Sequence, residues 1–365
     1  MIKGHRKAST SRNSARMSLK ELALHLGLSQ TTVSRVINNS AQAYRISADT
    51  QQRVLAAAAK MNYKANHLAR GLRSKSSQTV GVIVPEISDG YSTSVLGGIE
   101  DVLLLSGFFY FVVSHRHRTE LLREYPSLLL SRAVEGIIAI DSAIDGDLPV
   151  PVVAVSSHLR GRSIVNIELD HLVAVRYALE HLRRRGHTKI AFIKGQSFSS
   201  DTRVRWQAIC KVAADLGIIV NRRLTVQLEG AGPGSEPGRV ATVKLLETGL
   251  PFTAIFAFND HSAIGAITAL REAGIDVPSQ VSVVGFDDIA CAATNNPPLT
   301  TVRQPLQEMG RVAATTLLQL IQSGDGTSQG RPIRVLPTFV ERRSTSTAPD
   351  LRKSSPELIV LRATR

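Results

Sequence analysis

From Thr79 onward the chain alternates short, almost wholly apolar runs with stretches of helical period. The runs are Val80–Val84, Phe109–Val113, Gly136–Ile140, Val152–Val155, Ile190–Ile193, Thr225–Leu228, Ala254–Phe258 and Val281–Phe286. Between them, apolar residues recur at helical spacing near 92–105, 121–132, 171–185, 203–216, 238–248, 260–273 and 305–322. A strand that is apolar at nearly every position needs cover on both faces, and a parallel sheet flanked by helices provides it. The alternation therefore points to doubly wound α/β layers, in one sheet or two.

The first 78 residues have a different character. They hold 14 Lys/Arg against two acidic residues, Glu21 and Asp49, whereas the other 287 residues are almost neutral in a chain of net charge +14. A merely solvated basic surface would spread its charge; this concentration implies a polyanion-binding module joined to an ordinary α/β body. Two cysteines, Cys210 and Cys291, exclude a disulfide scaffold or a cysteine-rich zinc module and fit a reducing, cytoplasmic compartment. The longest nearly apolar run, 102–113, is broken by Ser106 and Gly107 and is too short to span a membrane. The basic N-terminus has no apolar stretch behind it, unlike a secretory signal.

Residues 1–16 are polar and rich in Ser and Arg, and are expected to form a disordered tail. At Ser18 the pattern changes. Ser18 with Glu21 makes a capping box, and Leu19, Leu22, Ala23 and Leu26 share one helical face. Gly27 stops that helix, Leu28 is expected to be buried, and Ser29 can cap a second helix carrying Val33, Val36 and Ile37, which Asn38 and Asn39 end. Ser47 and Asp49 start a third, with Val54, Leu55, Ala58 and Met61 on its face. Three short helices, the first two joined by a tight glycine turn, have the layout of a helix-turn-helix over 17–63.

The second helix opens with Gln30, Thr31, Thr32 and Ser34 and places Arg35 one turn later. Short amide and hydroxyl groups at a helix start can reach base edges and phosphates, and an arginine can bond guanine O6 and N7 together. Residues 64–78 are basic and decay into serines, and read as a linker with a short helix at 66–73.

The blocks MSLKELALHLGLSQTTVSRVINN, ISADTQQRVLAAAAKMNY and NHLARGLRSKSSQTVGVIVPEISD, followed by RRRGHTKIAFIKG, AIFAFNDHSAIGAITALREAGIDVPSQVSVVGFDDIA and PPLTTVRQPLQEMG, occur in one order. From about Met17 to Arg343 the chain resembles the lactose-repressor (LacI/GalR) family of bacterial transcription regulators. The resemblance implies an all-α helix-turn-helix headpiece, a hinge helix at 64–78 and a periplasmic-binding-protein-like body at 79–343. That body has an N-subdomain (79–166 plus 301–329) and a C-subdomain (167–300 plus 330–343), with a tail at 344–365. It implies that Gln30, Thr31 and Arg35 contact bases, that Thr32, Ser34 and Asn38 contact the DNA backbone, and that Ala69, Arg70 and Leu72 belong to the hinge helix. In the family that helix inserts a leucine, here Leu72, into the minor groove, where an apolar wedge kinks the duplex.

The resemblance also implies a homodimer on pseudo-palindromic double-stranded DNA and a small-molecule effector, a sugar or sugar derivative, between the subdomains. Arg205, Asn259 and Asp287 fall at family effector positions. Asp89, Tyr91 and Asp141 follow strand candidates, where ligands of parallel sheets bind. The other reading of Asn259 and Asp287 is that they cap helices. Gly90 and Asp89 stand where the family usually has proline and asparagine, Ala65 replaces a common proline before the hinge, and the loop 230–238 lacks an aromatic, so the ligand's identity stays open.

No enzyme motif is evident. Gly230-Ala-Gly232-Pro-Gly234 only partly matches a dinucleotide turn, with Ser235 where the third glycine belongs. His115 and His117 are surrounded by arginines, a poor metal environment. The expectations are a regulator, most plainly a repressor, with no catalysis, no cofactor, no metal and no membrane association. The alternatives are a non-specific architectural DNA binder with an inert body and, more remotely, an oxidoreductase.

Overall fold

A computed structural model of the chain describes residues 17–38, 42–63, 76–88, 90–144, 146–159, 161, 164–230, 234–324 and 331–349. The expected tail at 1–16, the expected hinge residues Ala69, Arg70 and Leu72, the candidate site residue Asp89 and the end of the chain from 350 lie outside them. Two compact units divide at Ser77 and Gln78.

The first unit is the three-helix headpiece: α1 (Leu19–Leu26), α2 (Gln30–Ile37) and α3 (Ala48–Lys60). Ser18 Oγ accepts from Glu21 N, and the Glu21 carboxylate accepts from Ser18 N at 2.7 Å, so the capping box is complete. Gly27 ends α1 at φ 66°, the left-handed conformation that glycine adopts without Cβ strain. Leu22, Ala23, Val33, Val36, Val54 and Ala58 form the buried core, and Leu28 packs against it. Leu55, expected on the inward face of α3, is 53% exposed; Val54 and Ala58 are buried there, and Met61 packs against the same core as expected.

In the second unit β1 (Thr79–Val84), β2 (Phe109–Ser114), β3 (Gly136–Ile140), β4 (Val152–Val155), β5 (Ile164–Leu169) and β11 (Ile333–Val335) form a fully parallel sheet ordered β2-β1-β3-β4-β5-β11. β6 (Ile190–Lys194), β7 (Thr225–Gln227), β8 (Ala254–Ala257), β9 (Ser282–Asp287), β10 (Thr300–Arg303) and β12 (Thr338–Val340) form a second, ordered β7-β6-β8-β9-β10-β12, in which only β12 is antiparallel. The same winding thus occurs twice. The first half carries helices α4 (Gly90–Leu105) and α5 (Thr119–Ser131). The second carries α6 (His171–Arg184), α7 (Ser200–Asp215), α8 (Glu236–Glu247), α9 (Asp260–Glu272) and the short α10 (Ala290–Thr294). Helix α11 (Leu306–Ser323) returns to the first half and packs on α4.

The strands that end each sheet move the expected subdomain boundaries. β5 runs to Leu169 in the first sheet, so the first crossing is at 170 rather than 166/167. β10 belongs to the second sheet, which moves the next crossing from 300/301 to 304, and β11 belongs to the first, which moves the last from 329/330 to 336–337. Two expected buried strands are edges: Phe109 of β2 is 61% exposed, and β7 is half-buried throughout. The expected tail at 344 begins later. Ser344 is fully buried, Val283 N donates to its carbonyl at 2.8 Å, and Ala348 N donates to Arg185 O.

Glycines let helices approach closely. A Cβ on Gly310 of α11 would overlap the carbonyl oxygen of Val95 in α4, and one on Gly98 would overlap the carbonyl of Gln307. Gly310→Ala is therefore expected to cost about 3 kcal/mol, since backbone cannot rotate out of the way. Gly97→Ala, whose methyl would meet only the tip of Gln307 at 3.9 Å, should be neutral or mildly stabilising. Urea unfolding of both variants checks this.

Burial pushes the imidazoles of His115 and His181 down to about 4. A folded pKa below the unfolded value of about 6.5 contributes stability that is present above 6.5 and lost as pH falls toward 4. Acidification from pH 7 to pH 5 is expected to cost about 2 kcal/mol for each of these histidines. Unfolding His181→Gln beside the parent chain at both pH values should show a smaller pH dependence in the variant. No helix among the described residues is long and apolar enough to cross a membrane.

Candidate nucleic-acid interface and ligand cleft

Helix α2 turns its two faces to different tasks. Val33 and Val36 are buried, while Gln30, Thr31, Arg35 and Asn38 are exposed and Thr32 and Ser34 half-buried. Ser29 Oγ accepts from Thr32 N at 3.1 Å and caps the helix. Asn38 folds back, its amide donating to Ser34 O at 2.8 Å and lying 3.2 Å from Ser34 Oγ. The six residues singled out on this helix thus lie on or border one solvent-facing stripe beginning at a helix N-terminus. Beside α2 the 43–45 turn presents Tyr44, 74% exposed, with Arg45 donating to its hydroxyl at 3.0 Å. Sequence reasoning passed over this pair because it lies outside any helical face.

In the body, each sheet reverses its winding between its first and third strands, and loops there leave a crevice at the carboxyl ends. The two crevices face one another across a cleft lined by Tyr91 and Asp141 from the first half and Arg205, Asn259 and Asp287 from the second. Tyr91 donates to Ser156 Oγ at 2.8 Å; burial, reinforced by Asp201 and Asp141, pushes its pKa well up. Asp141 accepts from Ser199 Oγ at 3.2 Å, a bond that crosses the cleft. Ser200 Oγ adds another, to Ser156 O at 2.9 Å.

Arg205 is the centre of the second half's wall. It is 3% exposed, with its guanidinium carbon 4.3 Å from the Phe258 ring centroid and 3.7 Å from that of Phe286. It donates to Phe258 O at 2.5 Å and to Asp201 Oδ2 at 3.1 Å. Burial alone would raise the Asp201 carboxyl, but His171, His158 and Arg205 hold it far below the ordinary carboxylate range. Asn259 caps α9 through Ser262 N at 2.9 Å and also lines the cleft, so the capping and lining readings both apply. Asp287 sits at φ 107° and accepts from Gln304 Nε2 at 2.6 Å.

Two polar atoms in this wall are buried without partners among the described residues: Arg205 Nε, a donor, and Gln304 Oε1, an acceptor. Sequence reasoning missed Asp201, Phe258, Gln304, and the His117–Phe198 stack across the cleft mouth, whose rings are 4.1 Å apart. Asp201 had a signal, four residues before Arg205 on one helix face. Gln304 follows a strand too short and polar to be recognised.

Known proteins place this arrangement. Residues 18–66 match the family described as "Bacterial regulatory proteins, lacI family", and 179–345 match "Periplasmic binding protein-like domain". The HTH-type transcriptional regulator GalR of Escherichia coli K12 is 31% identical over 92% of this chain and 98% of its own. An HTH-type transcriptional repressor PurR of Photobacterium profundum is 30% identical over 90% and 98%. A lac repressor dimer bound to operator and the anti-inducer ONPF superposes with TM-score 0.78 at 26% identity, over 90% of this chain and 99% of that one. A CelR–cellobiose complex superposes with TM-score 0.66 at 26% identity, over 90% and 100%. At this identity and coverage the chain belongs to the lacI family of bacterial regulatory proteins, and is a DNA-binding transcription regulator under small-molecule control rather than an enzyme.

Proposed function

We propose that the chain acts as a homodimeric, sequence-specific repressor whose grip on a pseudo-palindromic operator is set by a polyhydroxylated small molecule in the cleft. A two-fold dimer offers two equivalent recognition helices, which suits a palindrome. Gln30, Thr31 and Arg35 would read base edges, Thr32, Ser34 and Asn38 would hold phosphates, and Arg70 and Leu72 would act from the hinge. Its place of action is the cytoplasm, with the DNA.

The observation that carries the effector class is the pair of unpartnered atoms, Arg205 Nε and Gln304 Oε1. One buried donor and one buried acceptor in a single wall suit a ligand whose groups both give and take hydrogen bonds, as hydroxyls do. Tyr91, Asp141, Asn259 and Asp287 line the same cleft, and Asp89 would join them as a ligand contact. The ligand can bias DNA affinity only by its differential affinity for open and closed bodies, and the effect is reciprocal.

Two experiments test this reading. Selection of bound DNA from a random pool should return one inverted repeat, and a pool without enrichment would favour an architectural DNA binder. A thermal-shift screen of sugars, sugar phosphates, purines and polyols should single out a hydroxyl-rich compound that changes affinity for the selected DNA. Stabilisation by purines alone would reject the polyol reading.

A further inference from the structure

Beside the cleft, which Asp201 also lines, three side chains from separate parts of the chain converge. His158 comes from the loop after β4, His171 is the first residue of α6, and Asp201 is the second residue of α7. His158 Nε2 lies 2.9 Å and His171 Nε2 3.3 Å from Asp201 Oδ1, and the three ligand atoms all fall within 4.8 Å of one another. We propose that these three atoms form a site for a divalent transition-metal ion of the zinc class, joining the two subdomains.

Bonds of about 2.0–2.2 Å to imidazole nitrogen and carboxylate oxygen, in tetrahedral array, set neighbouring donor atoms about 3.4 Å apart. The two distances to Asp201 Oδ1 need adjustments of about half an ångström or less. The surrounding groups already orient the ligands. Glu168 Oε1 lies 3.0 Å from His158 Nδ1, the carboxylate–histidine pairing that leaves Nε2 free to face an ion. Arg205 occupies Asp201 Oδ2 and so presents Oδ1 alone. Asp201 and His171 are buried, and Glu168 adds a second negative charge against that of the ion, while the Arg205 guanidinium opposes it. A cavity of about 260 Å³, lined by His158, Glu168, Asp170, His171 and Arg334, opens beside the cluster and leaves room for a water as fourth ligand.

Two imidazoles and one carboxylate suit zinc, cobalt or nickel and do not suit magnesium, which prefers oxygen. In the metal-free chain the hydrogens that the imidazoles direct at Asp201 fill the ion's place. Because His158 belongs to the first half of the body and His171 and Asp201 to the second, an ion here favours the closed cleft by mass action. No local spacing motif exists, since the ligands lie in three segments.

The test uses the untagged full-length chain, stripped with EDTA and titrated with cobalt(II). The expected result is uptake of one ion per chain with the strong visible absorption of a tetrahedral site, displaced by zinc and not by magnesium. Zinc should raise the unfolding temperature of the parent chain and leave His158→Gln and His171→Gln unmoved. Circular dichroism and DNA binding, both measured without metal, report whether those variants fold and keep the regulator reading separate. Absence of stoichiometric uptake by the parent chain overturns the proposal, as does unchanged uptake in both folded variants.

Discussion

Raising the salt concentration from about 50 to about 200 mM is expected to weaken operator binding by about 10³–10⁵-fold. The magnitude follows from counterion release when a protein neutralises about 6–10 phosphates. Residues 1–78 carry 14 Lys/Arg and two acidic residues, so nearly all of the chain's excess charge is available to the DNA-binding end. Lys20, Arg35, Arg45, Arg53 and Lys60 stand on the described headpiece, and none of them makes an ion pair among the described residues. The body, almost neutral, should contribute little to the slope. A titration by fluorescence anisotropy at several salt concentrations measures it, and a slope equivalent to only one or two phosphates would contradict the electrostatic account.

Arg205→Ala is expected to abolish the response to effector and to destabilise the body by about 3–5 kcal/mol. The guanidinium lies between two aromatic faces and donates to Asp201, so its removal leaves a buried carboxylate short of its partner. Replacing both, as Arg205→Met with Asp201→Asn, should cost less than the single change, because no uncompensated charge remains. Urea unfolding gives the stability difference. The thermal-shift compound identified for the parent chain gives the binding difference, and unchanged affinity in Arg205→Ala would remove this residue from the ligand site.

What could be read from the sequence follows from locality. Val80–Val84 and Gly136–Ile140 are apolar at every position because both faces of their strands are covered, and the structure places strands there. Ser18, Glu21 and Gly27 announce α1 through bonds made within a few residues. Four strands escaped notice, β5, β10, β11 and β12; β5 and β10 carry Asn166, Glu168, Thr300 and Thr301, and all four are held by pairing to distant strands rather than by pattern. Ser344 and Thr345 look like tail composition, yet Ser344 Oγ donates to Val283 O at 2.6 Å and accepts from Thr300 N at 2.8 Å, so polar residues are buried there fully bonded.

The cleft divides the same way. Tyr91, Asp141 and Asn259 follow strands and Asp287 ends one, so all four could be anticipated from the doubly wound layout. His158 and Asp201 are 43 positions apart and meet only because the chain crosses between the halves at the end of β5. Nothing in the spacing of either residue announces that meeting.

The central claim is that the exposed face of α2 reads base edges. Affinities of the parent chain and Arg35→Ala for the selected operator and for a scrambled duplex, at one salt concentration, test it most directly. The expected loss on the operator is about 1–3 kcal/mol, confined to one or two base positions, with little change on scrambled DNA. Equal losses on both duplexes would show that Arg35 contributes only charge, and the account of sequence reading by this helix would fail.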